Sequence, residues 1–149
     1  RVPFLGTCGG FQHAVIEYAR NVLGWADAEH AETAPHARRQ VIVPLLCALV
    51  EVTDVVQLVE GSRLARAYGV DAIAEGYHCS YGLSPDFREA LADGSLRVCA
   101  VDAAGEVRGI ELEDHPFFVA TLFQHERGAL QGRVPPAVRA FVQAMADTY

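Results

Sequence analysis

A cysteine set among glycines near the start of the chain has the setting of a nucleophile. Cys8 lies in the run GTCGGFQ at residues 6–12, after a short apolar stretch and before a helical pattern. The flanking glycines leave the backbone free to turn sharply, and a residue at the apex of such a turn can direct its sulfur outward. The helix that follows points its free N–H groups and positive dipole end at the sulfur, which favours the thiolate. The pattern predicts covalent chemistry at Cys8.

The other cysteines and the histidines have no spacing typical of a metal site. Cys47, Cys79 and Cys99 are widely separated, with no C-x-x-C pair, and we expect Cys47 and Cys99 to be free thiols in the core. The histidines lack ligand spacing with any cysteine or carboxylate, so we predict neither a metal site nor a cofactor. Scattered, unpaired cysteines are typical of a reducing cytoplasm, which is the predicted location.

Composition excludes two classes of partner. The 149 residues fit one domain, and 51% of them are hydrophobic, which is enough for a packed core. The net charge is −7, with 19 acidic against 12 basic residues, so a nucleic-acid partner is not expected. The longest apolar run, residues 41–50, is interrupted by Pro44 and is too short to span a bilayer.

Alternating strand and helix patterns predict an α/β fold with a mixed sheet. The predicted strands cover residues 2–7, 40–46 with a break at Pro44, 52–59, 72–77 and 117–123, and a hairpin pairs 96–101 with 106–113 around Asp102. The predicted helices cover residues 11–23, 62–68, 84–93 and 135–145. Residues 26–36 are polar and mixed, which favours a loop.

Three segments of the chain resemble the glutaminase domain of CTP synthase, a class I (triad-type) glutamine amidotransferase. Residues 6–12 fit the nucleophile pattern G-x-C-x-G-x-Q, and residues 15–22 (VIEYARNV) resemble the CTP synthase branch in particular. Residues 115–121 (HPFFVAT) resemble the segment that leads into the family's F-H-P-E motif. The resemblance extends over nearly the whole chain, with a poor stretch from residue 35 to 54.

This resemblance implies a three-layer, flavodoxin-like α/β sandwich in which a Cys-His-Glu triad hydrolyses glutamine to glutamate and ammonia. Residues 1–149 would form a single class I amidotransferase-like domain, and specifically its C-terminal portion. The N-terminal part is expected to be missing, because a first strand without partners cannot start a stable sheet. The family's oxyanion-hole glycine loop also precedes the nucleophile segment.

The resemblance assigns catalytic roles to Cys8 and Glu126, and His125 is the candidate base because the motif around the histidine has changed. The family's F-H-P-E reads FQHE at residues 123–126, so Gln124 takes the place of the catalytic histidine. Glutamine has no useful pKa near neutrality, and His125 is one residue late in a segment where adjacent side chains face opposite sides. His78 is the alternative base. We therefore expect plain glutaminase activity to be weak or absent.

The segment that helps to hold glutamine in CTP synthases has also changed. Residues 75–82 read EGYHCSYG where the family has a basic run resembling E-R-H-R-H-R-Y-E. Glu75 and Tyr81 survive, but the arginines that suit a substrate carboxylate are lost. The resemblance still predicts a small-molecule amide or glutamine-like substrate, and the substrate-binding residues are Gly9, Gln12, His78, Cys79, Tyr81 and Gln124.

Two further functions stay open at this point. A catalytically inactive homologue could serve as a binding or regulatory module, as the glutamine at position 124 suggests. Alternatively, Cys8 and Cys79 could form a redox pair, which requires Cα atoms no more than about 7 Å apart. The plainer interpretations are an inert Cys79 thiol and a structural His78. A synthetase partner and a homo-oligomer are both compatible with the sequence.

Overall fold

The computed structural model describes residues 1–148, which fold around one mixed β-sheet. The strands are β1 (Phe4–Thr7), β2 (Ala28–His30), β3 (Arg39–Leu58), β4 (Ala72–Leu83), β5 (Leu96–Val101), β6 (Val107–Leu112) and β7 (Phe118–Thr121). The helices are α1 (Gly9–Asn21), α2 (Arg63–Tyr68), α3 (Pro85–Ala92) and α4 (Pro136–Thr148), with a 3-10 helix over His125–Gln131. The predicted α/β class with a mixed sheet is confirmed.

The strand order brings distant parts of the chain to one end of the sheet. The order is β1-β7-β6-β5-β3-β2, and β4 pairs with β3 outside this path. β1 runs parallel to β7 and β2 runs parallel to β3, whereas the other pairs are antiparallel. The β1–β7 register sets Thr7 beside Thr121, so the two strands end at the same level of the sheet. Cys8 directly follows the end of β1. Sites in α/β folds form at such carboxyl ends of parallel strands.

Helix α1 holds its position through an apolar face buried against the sheet. Phe11, Val15 and Ala19 are fully buried at four-residue spacing, and the helix packs on β1 and β7. The helix predicted over residues 11–23 is confirmed, but α1 ends at Asn21 and Val22 is exposed. No helix within residues 1–148 is long and apolar enough to cross a membrane.

Local capping signals predicted two elements well. Ser62 precedes α2 and its hydroxyl accepts a hydrogen bond from the Ala65 N–H at 3.0 Å, while Gly69 ends the helix with a φ of 70°. In the β5–β6 hairpin, Asp102 accepts hydrogen bonds from the N–H groups of Ala104 and Glu106. Both features depend on neighbouring residues, which explains why the sequence alone identified them.

Three strand predictions were wrong. The strands expected at residues 40–46 and 52–59 are one strand, β3, because the register with β4 jumps from Pro44 to Leu49 and the bulge accommodates a residue without an N–H. The predicted loop at residues 26–36 contains β2, which pairs with the start of β3. β4 also extends to Leu83, six residues beyond the predicted end at 77. These pairings are long-range, so local composition does not reveal them.

The prediction that Cys47 is a core residue was also wrong. Cys47 lies in the part of β3 that bulges away from β4, between Pro44 and Leu49, and its side chain is exposed. Cys99, on β5, is fully buried as predicted.

Candidate active site

Cys8 occupies a strained turn between β1 and α1. Its φ of 47° and ψ of −104° lie outside the conformations that side-chain-bearing residues favour. The Cys8 N–H donates to the carbonyl oxygen of Thr121 at 2.9 Å, and the Cys8 carbonyl accepts from the Gln12 N–H at 3.1 Å. The first hydrogen bonds of the helix and the last bond of the sheet therefore meet at the same residue. The sulfur lies at the N-terminus of α1, where free N–H groups stabilise a thiolate.

The glycines around Cys8 do not share one role. A Cβ at Gly6 would lie 2.9 Å from Phe4 Cζ and 3.0 Å from the Gly10 carbonyl carbon, so β1 and α1 approach too closely for any side chain there. A Cβ at Gly9 or Gly10 would meet no atom within 4 Å. The positive φ falls on Cys8 itself. The sequence predicts that all three glycines ease the turn, but only Gly6 is required by a close contact.

Cys79 lies directly against Cys8. The two side chains are joined as a disulfide, with their Cα atoms 6.4 Å apart and a sequence separation of 71. Cys79 is buried, and its sulfur lies 3.4 Å from the carbonyl oxygen of Leu122. The Cys8 sulfur is half-buried and lies 3.6 Å from the carbonyl oxygen of His78. The Cα separation fits the limit that a bridge between the predicted redox pair requires.

His125 is buried in an apolar environment. Its side chain is 1% exposed, its ring packs edge-on against Phe123 with the centroids 5.6 Å apart, and neither ring nitrogen has a hydrogen-bond partner among the described residues. Burial lowers the pKa of His125 to about 4. The ring borders a cavity of about 240 Å³ together with Tyr68 and Arg133. His125 is therefore a neutral imidazole without an orienting carboxylate.

The two neighbours of His125 lie close to the elements that carry the cysteines. The Glu126 carboxylate accepts a hydrogen bond from the Thr7 hydroxyl at 3.0 Å, which places Glu126 next to the residue preceding Cys8. The Gln124 N–H donates to the carbonyl of Gly76 on β4 at 2.9 Å, while its side-chain oxygen is buried without a partner among residues 1–148. The segment thus brings the Glu126 carboxylate next to the residue before Cys8 and joins the Gln124 backbone to β4.

His78 has the orienting carboxylate that His125 lacks. Its Nδ1 lies 2.7 Å from a Glu51 carboxylate oxygen, and Arg127 forms an ion pair with the other oxygen of Glu51. The hydrogen bond from His78, followed by that from Arg127, lowers the pKa of Glu51. Glu51 itself has a φ of 52° at a register shift in β3, and such a bulge redirects a side chain. His78 and Glu51 are both exposed, so the pair is open to solvent.

Gln12 is held in place by hydrogen bonds to two other elements. Its amide nitrogen donates to the carbonyl of Tyr81 at 3.1 Å, and its amide oxygen lies 3.0 Å from His30 Nε2. His30 Nδ1 accepts from the Glu32 N–H, so the ring proton is on Nε2 and is donated to Gln12. The rings of His30 and Tyr81 also contact each other, with centroids 5.0 Å apart. The amide of Gln12 is thereby fixed between α1, β2 and β4.

Arg127 supplies a guanidinium that the sequence did not lead us to expect. Gly76 is in the place of the first arginine of the family's basic run, and a Cβ at Gly76 would lie 3.2 Å from both Cδ and Nε of Arg127. Arg127 therefore fills the volume next to β4 that a side chain at position 76 would enter. A polar cavity of about 400 Å³ lies here, bordered also by Glu51 and Arg133.

Sequence reasoning missed Thr7, His30, Glu51 and Arg127 as members of this region. Thr7 adjoins Cys8 and Arg127 directly follows Glu126, so both could have been identified from those positions alone. His30 and Glu51 reach the site through long-range pairing, and neither their spacing nor their flanking residues indicated it. The predicted residues Cys8, Cys79 and His78 are brought together by the elbow and β4, with Gln12 and Tyr81 beside them.

Comparison with known proteins yields relatives over almost the entire chain. The CTP synthase of Carboxydothermus hydrogenoformans is 37% identical over 159 residues, covering 99% of this chain and 30% of the relative. The CTP synthase of Aeropyrum pernix is 34% identical over 155 residues, covering 97% of this chain and 29% of the relative. The chain thus spans less than a third of the length of these relatives. No model of a known protein family matches it.

Solved structures give the same assignment. The glutaminase domain of the Trypanosoma brucei CTP synthase, described with bound acivicin, matches with a TM-score of 0.89 and 28% identity, covering 97% of this chain and 60% of that one. A GMP synthase subunit from Thermoplasma acidophilum matches with a TM-score of 0.65 at 15% identity, covering 98% of this chain and 58% of that one, which supports the fold alone. The chain therefore belongs with the CTP synthase glutaminase domains and has the class I glutamine amidotransferase fold.

Proposed function

We propose that this protein is a cysteine-dependent amide hydrolase of the glutamine amidotransferase type, with Cys8 as its nucleophile. The observation that carries the proposal is the positive φ of Cys8 at the junction of β1 and α1. In the reduced protein, the Cys8 thiolate attacks the carboxamide carbon, and the Gly9 N–H contributes to stabilising the oxyanion. The C–N bond breaks, ammonia leaves, and water hydrolyses the thioester to release the acid and restore the thiol.

The substrate we propose is glutamine or a similar small amide. The support is the similarity to CTP synthases and to a glutaminase domain that was described with bound acivicin. Gln12, Tyr81 and Gln124 border the nucleophile region in this proposal, and Arg127 provides the positive charge for a substrate carboxylate. The acceptor of the ammonia is proposed to be a synthetase, in line with the enzymes that the chain resembles, and the cytoplasm stays the predicted location.

Neither histidine of the region is well suited to accept the proton from the Cys8 thiol. His125 is buried, and burial lowers its pKa to about 4, which makes it a poor base near neutral pH. His78 has a carboxylate partner in Glu51, but the Cys8 sulfur contacts the backbone of His78 and not its ring. We therefore expect slow hydrolysis. His78 acts as the general base with Glu51 orienting its ring, and Glu126 supports the Cys8 turn through its hydrogen bond with Thr7.

Ammonia release from glutamine by the reduced protein tests the proposal. Cys8→Ala should abolish the release, whereas Cys47→Ala, which removes an exposed thiol, should leave it unchanged. His78→Ala should lower the rate by at least about tenfold, because we propose His78 as the base, whereas a comparable loss in His125→Ala would assign the base to His125. Release that is independent of Cys8 would refute the proposal.

A gain-of-function variant makes the same test sharper. The double change Gln124→His with His125→Pro rebuilds the F-H-P-E motif of the family. Restoring a general base should raise ammonia release by about 100-fold, because general acid–base catalysis contributes on the order of 10²–10⁴. Glu126→Gln in the rebuilt protein should reverse most of the gain. A rebuilt protein that folds and stays as slow as the parent would show that the defect is not in the base.

A non-catalytic binding module is the second candidate. It is favoured by one observation, namely that the sequence neighbours Gln124 and His125 both have buried polar atoms without partners among the described residues. The rate of Cys8 alkylation by iodoacetamide distinguishes the two functions. An activated Cys8 thiolate reacts with iodoacetamide faster than a model thiol does, whereas an inert Cys8 thiol does not.

A further inference from the structure

The positions of Cys8 and Cys79 allow a disulfide bond to form between them. Their Cα atoms are 6.4 Å apart, within the range of about 4.4–6.8 Å that disulfides occupy. Cys8 is fixed by the β1–α1 turn and Cys79 by its pairing with Leu49 in the β3–β4 ladder. Two separate elements therefore hold the sulfurs in contact, and neither is a chain terminus.

The two sulfurs differ in environment, and this difference assigns their roles. Cys8 is half-buried at the N-terminus of the thirteen-residue helix α1, where free N–H groups stabilise a thiolate. Cys79 is 3% exposed within the core. An oxidant or a small thiol from solvent can therefore reach the Cys8 sulfur, whereas Cys79 is shielded and reacts with its neighbour.

We propose that Cys8 and Cys79 form a redox-active dithiol–disulfide couple, oxidised by hydroperoxides and reduced by small thiols. The Cys8 thiolate attacks a peroxide oxygen, the O–O bond breaks, and Cys8 becomes a sulfenic acid while the other oxygen leaves as an alcohol or water. Cys79 then attacks the Cys8 sulfur, and the hydroxyl leaves as water with the proton of Cys79. Two electrons have passed from two thiols to the peroxide.

The Cys8–Cys79 disulfide is reduced by thiol–disulfide exchange. The thiolate of a small thiol attacks the accessible Cys8 sulfur, and Cys79 leaves as a thiolate. A second thiolate attacks the external sulfur of the mixed disulfide, which releases the small-molecule disulfide and restores Cys8. Because a bonded Cys8 sulfur cannot attack a carbonyl, the couple also switches off amide hydrolysis, and this consequence alone rests on the proposed function.

The arrangement of arginines makes the linkage easy to detect. The chain has no lysine, and its arginines divide the four cysteines among four tryptic peptides, residues 2–20, 40–63, 67–88 and 98–108. The reduced full-length protein is treated with one equivalent of hydrogen peroxide, remaining thiols are blocked with N-ethylmaleimide, and the digest is analysed without reductant. We expect the linked pair of 2–20 with 67–88 to account for at least about tenfold more product than any link involving 40–63, because Cys8 favours the thiolate and lies against Cys79.

Two variants control the experiment. Cys47→Ser should leave the 2–20 to 67–88 link intact, which excludes scrambling through the exposed thiol. Cys79→Ser should abolish the link and leave Cys8 as sulfenic or sulfinic acid, and Cys79→Ala provides the same test should the serine variant misfold. Labelling of both Cys8 and Cys79 by maleimide after peroxide, or over-oxidation of Cys8 in the parent protein, would overturn the proposal.

Ammonia measurements separate this proposal from the proposed function. If the link forms and no redox state releases ammonia, the couple stands and the hydrolase proposal fails. If the reduced protein releases ammonia but no link forms, the hydrolase stands and the couple is wrong. Treatment with dithiothreitol should remove the link completely, and a link that resists it would refute reversibility.

Discussion

At the scale of single residues, the order of two adjacent side chains decides the chemistry of the region. Gln124 immediately precedes the 3-10 helix and its N–H bonds to β4, while His125 is buried in the core beside Phe123. Positions 124 and 125 have different surroundings, so the imidazole of His125 does not reach the space next to position 124. The same histidine placed one residue earlier would occupy the position of the family's base.

The buried His125 leads to a prediction about acid stability. Its pKa of about 4 in the folded state is below the ordinary value of 6.5, so between these pH values the unfolded chain binds a proton that the folded chain does not. The free energy of unfolding should therefore fall as the pH decreases from 6.5 to 4, with His125 contributing roughly 3 kcal/mol of that loss. Replacing His125 by phenylalanine should remove this contribution.

Urea unfolding of parent and variant across pH 4–7 measures this effect. His36→Gln, at an exposed loop position, controls for the removal of an imidazole. Equal slopes of stability against pH in the parent and in His125→Phe would contradict the prediction.

Residue-scale predictions from the sequence succeeded where the signal was local. The nucleophile turn at Cys8 followed from its neighbours in the chain. The Glu51–His78 contact did not, because it depends on a strand residue with a φ of 52°, a conformation that a strand pattern gives no reason to expect.

At the scale of elements, the turn between β1 and α1 depends on how closely the strand approaches the helix. Gly6 allows the contact with the Gly10 backbone, and Phe4 stacks on Phe118 at a centroid distance of 4.6 Å above the same junction. Strand, glycine and helix therefore act as one unit that keeps Cys8 in its strained conformation.

A pair of alanine substitutions tests this unit. Gly6→Ala should destabilise the protein by about 1–3 kcal/mol, because the added Cβ would lie 3.0 Å from a backbone carbon that cannot move freely. Gly10→Ala, where a Cβ meets nothing within 4 Å, should be neutral or stabilise by up to roughly 1 kcal/mol through helix propensity. Thermal unfolding followed by circular dichroism compares the two, and a harmless Gly6→Ala would show that strand and helix can separate.

Elements with local signals were predicted from the sequence, and elements made by distant pairing were not. The capping residues of α2 and the turn residue Asp102 of the hairpin predicted the ends of these elements to within one or two residues. β2 has three residues and exists through its pairing with β3, whose own length depends on β2, β4 and β5. Composition within a short window carries no information about such partners.

At the scale of the whole molecule, the Cys8–Cys79 link connects the first strand and helix to the middle of the chain. It closes a loop with a sequence separation of 71 that includes α1, β2, β3, α2 and the first part of β4. Because β4 pairs with β3 but lies outside the main strand path, the link also fastens β4 to the opposite end of the sheet.

This closure predicts a large effect of reduction on stability. A covalent loop of this length lowers the entropy of the unfolded chain, which corresponds to roughly 4 kcal/mol in the chain-entropy description. The oxidised protein should therefore unfold at a higher urea concentration than the reduced protein. Cys79→Ala should show no difference between the two conditions, and Cys47→Ala should retain the full difference. Coincident transitions of oxidised and reduced parent protein would contradict the prediction.

The contact between Arg127 and Gly76 has a consequence for how this chain is compared with its relatives. Comparison of residues 75–82 with the basic run E-R-H-R-H-R-Y-E suggests only that an arginine is lost at position 76, whereas in three dimensions the Arg127 side chain, from another segment, occupies the adjoining space. A side chain at position 76 would press on Cδ and Nε of Arg127, so the arginine would have to shift to admit it. The residue at position 76 therefore sets where the guanidinium of Arg127 can lie, although the two belong to different segments.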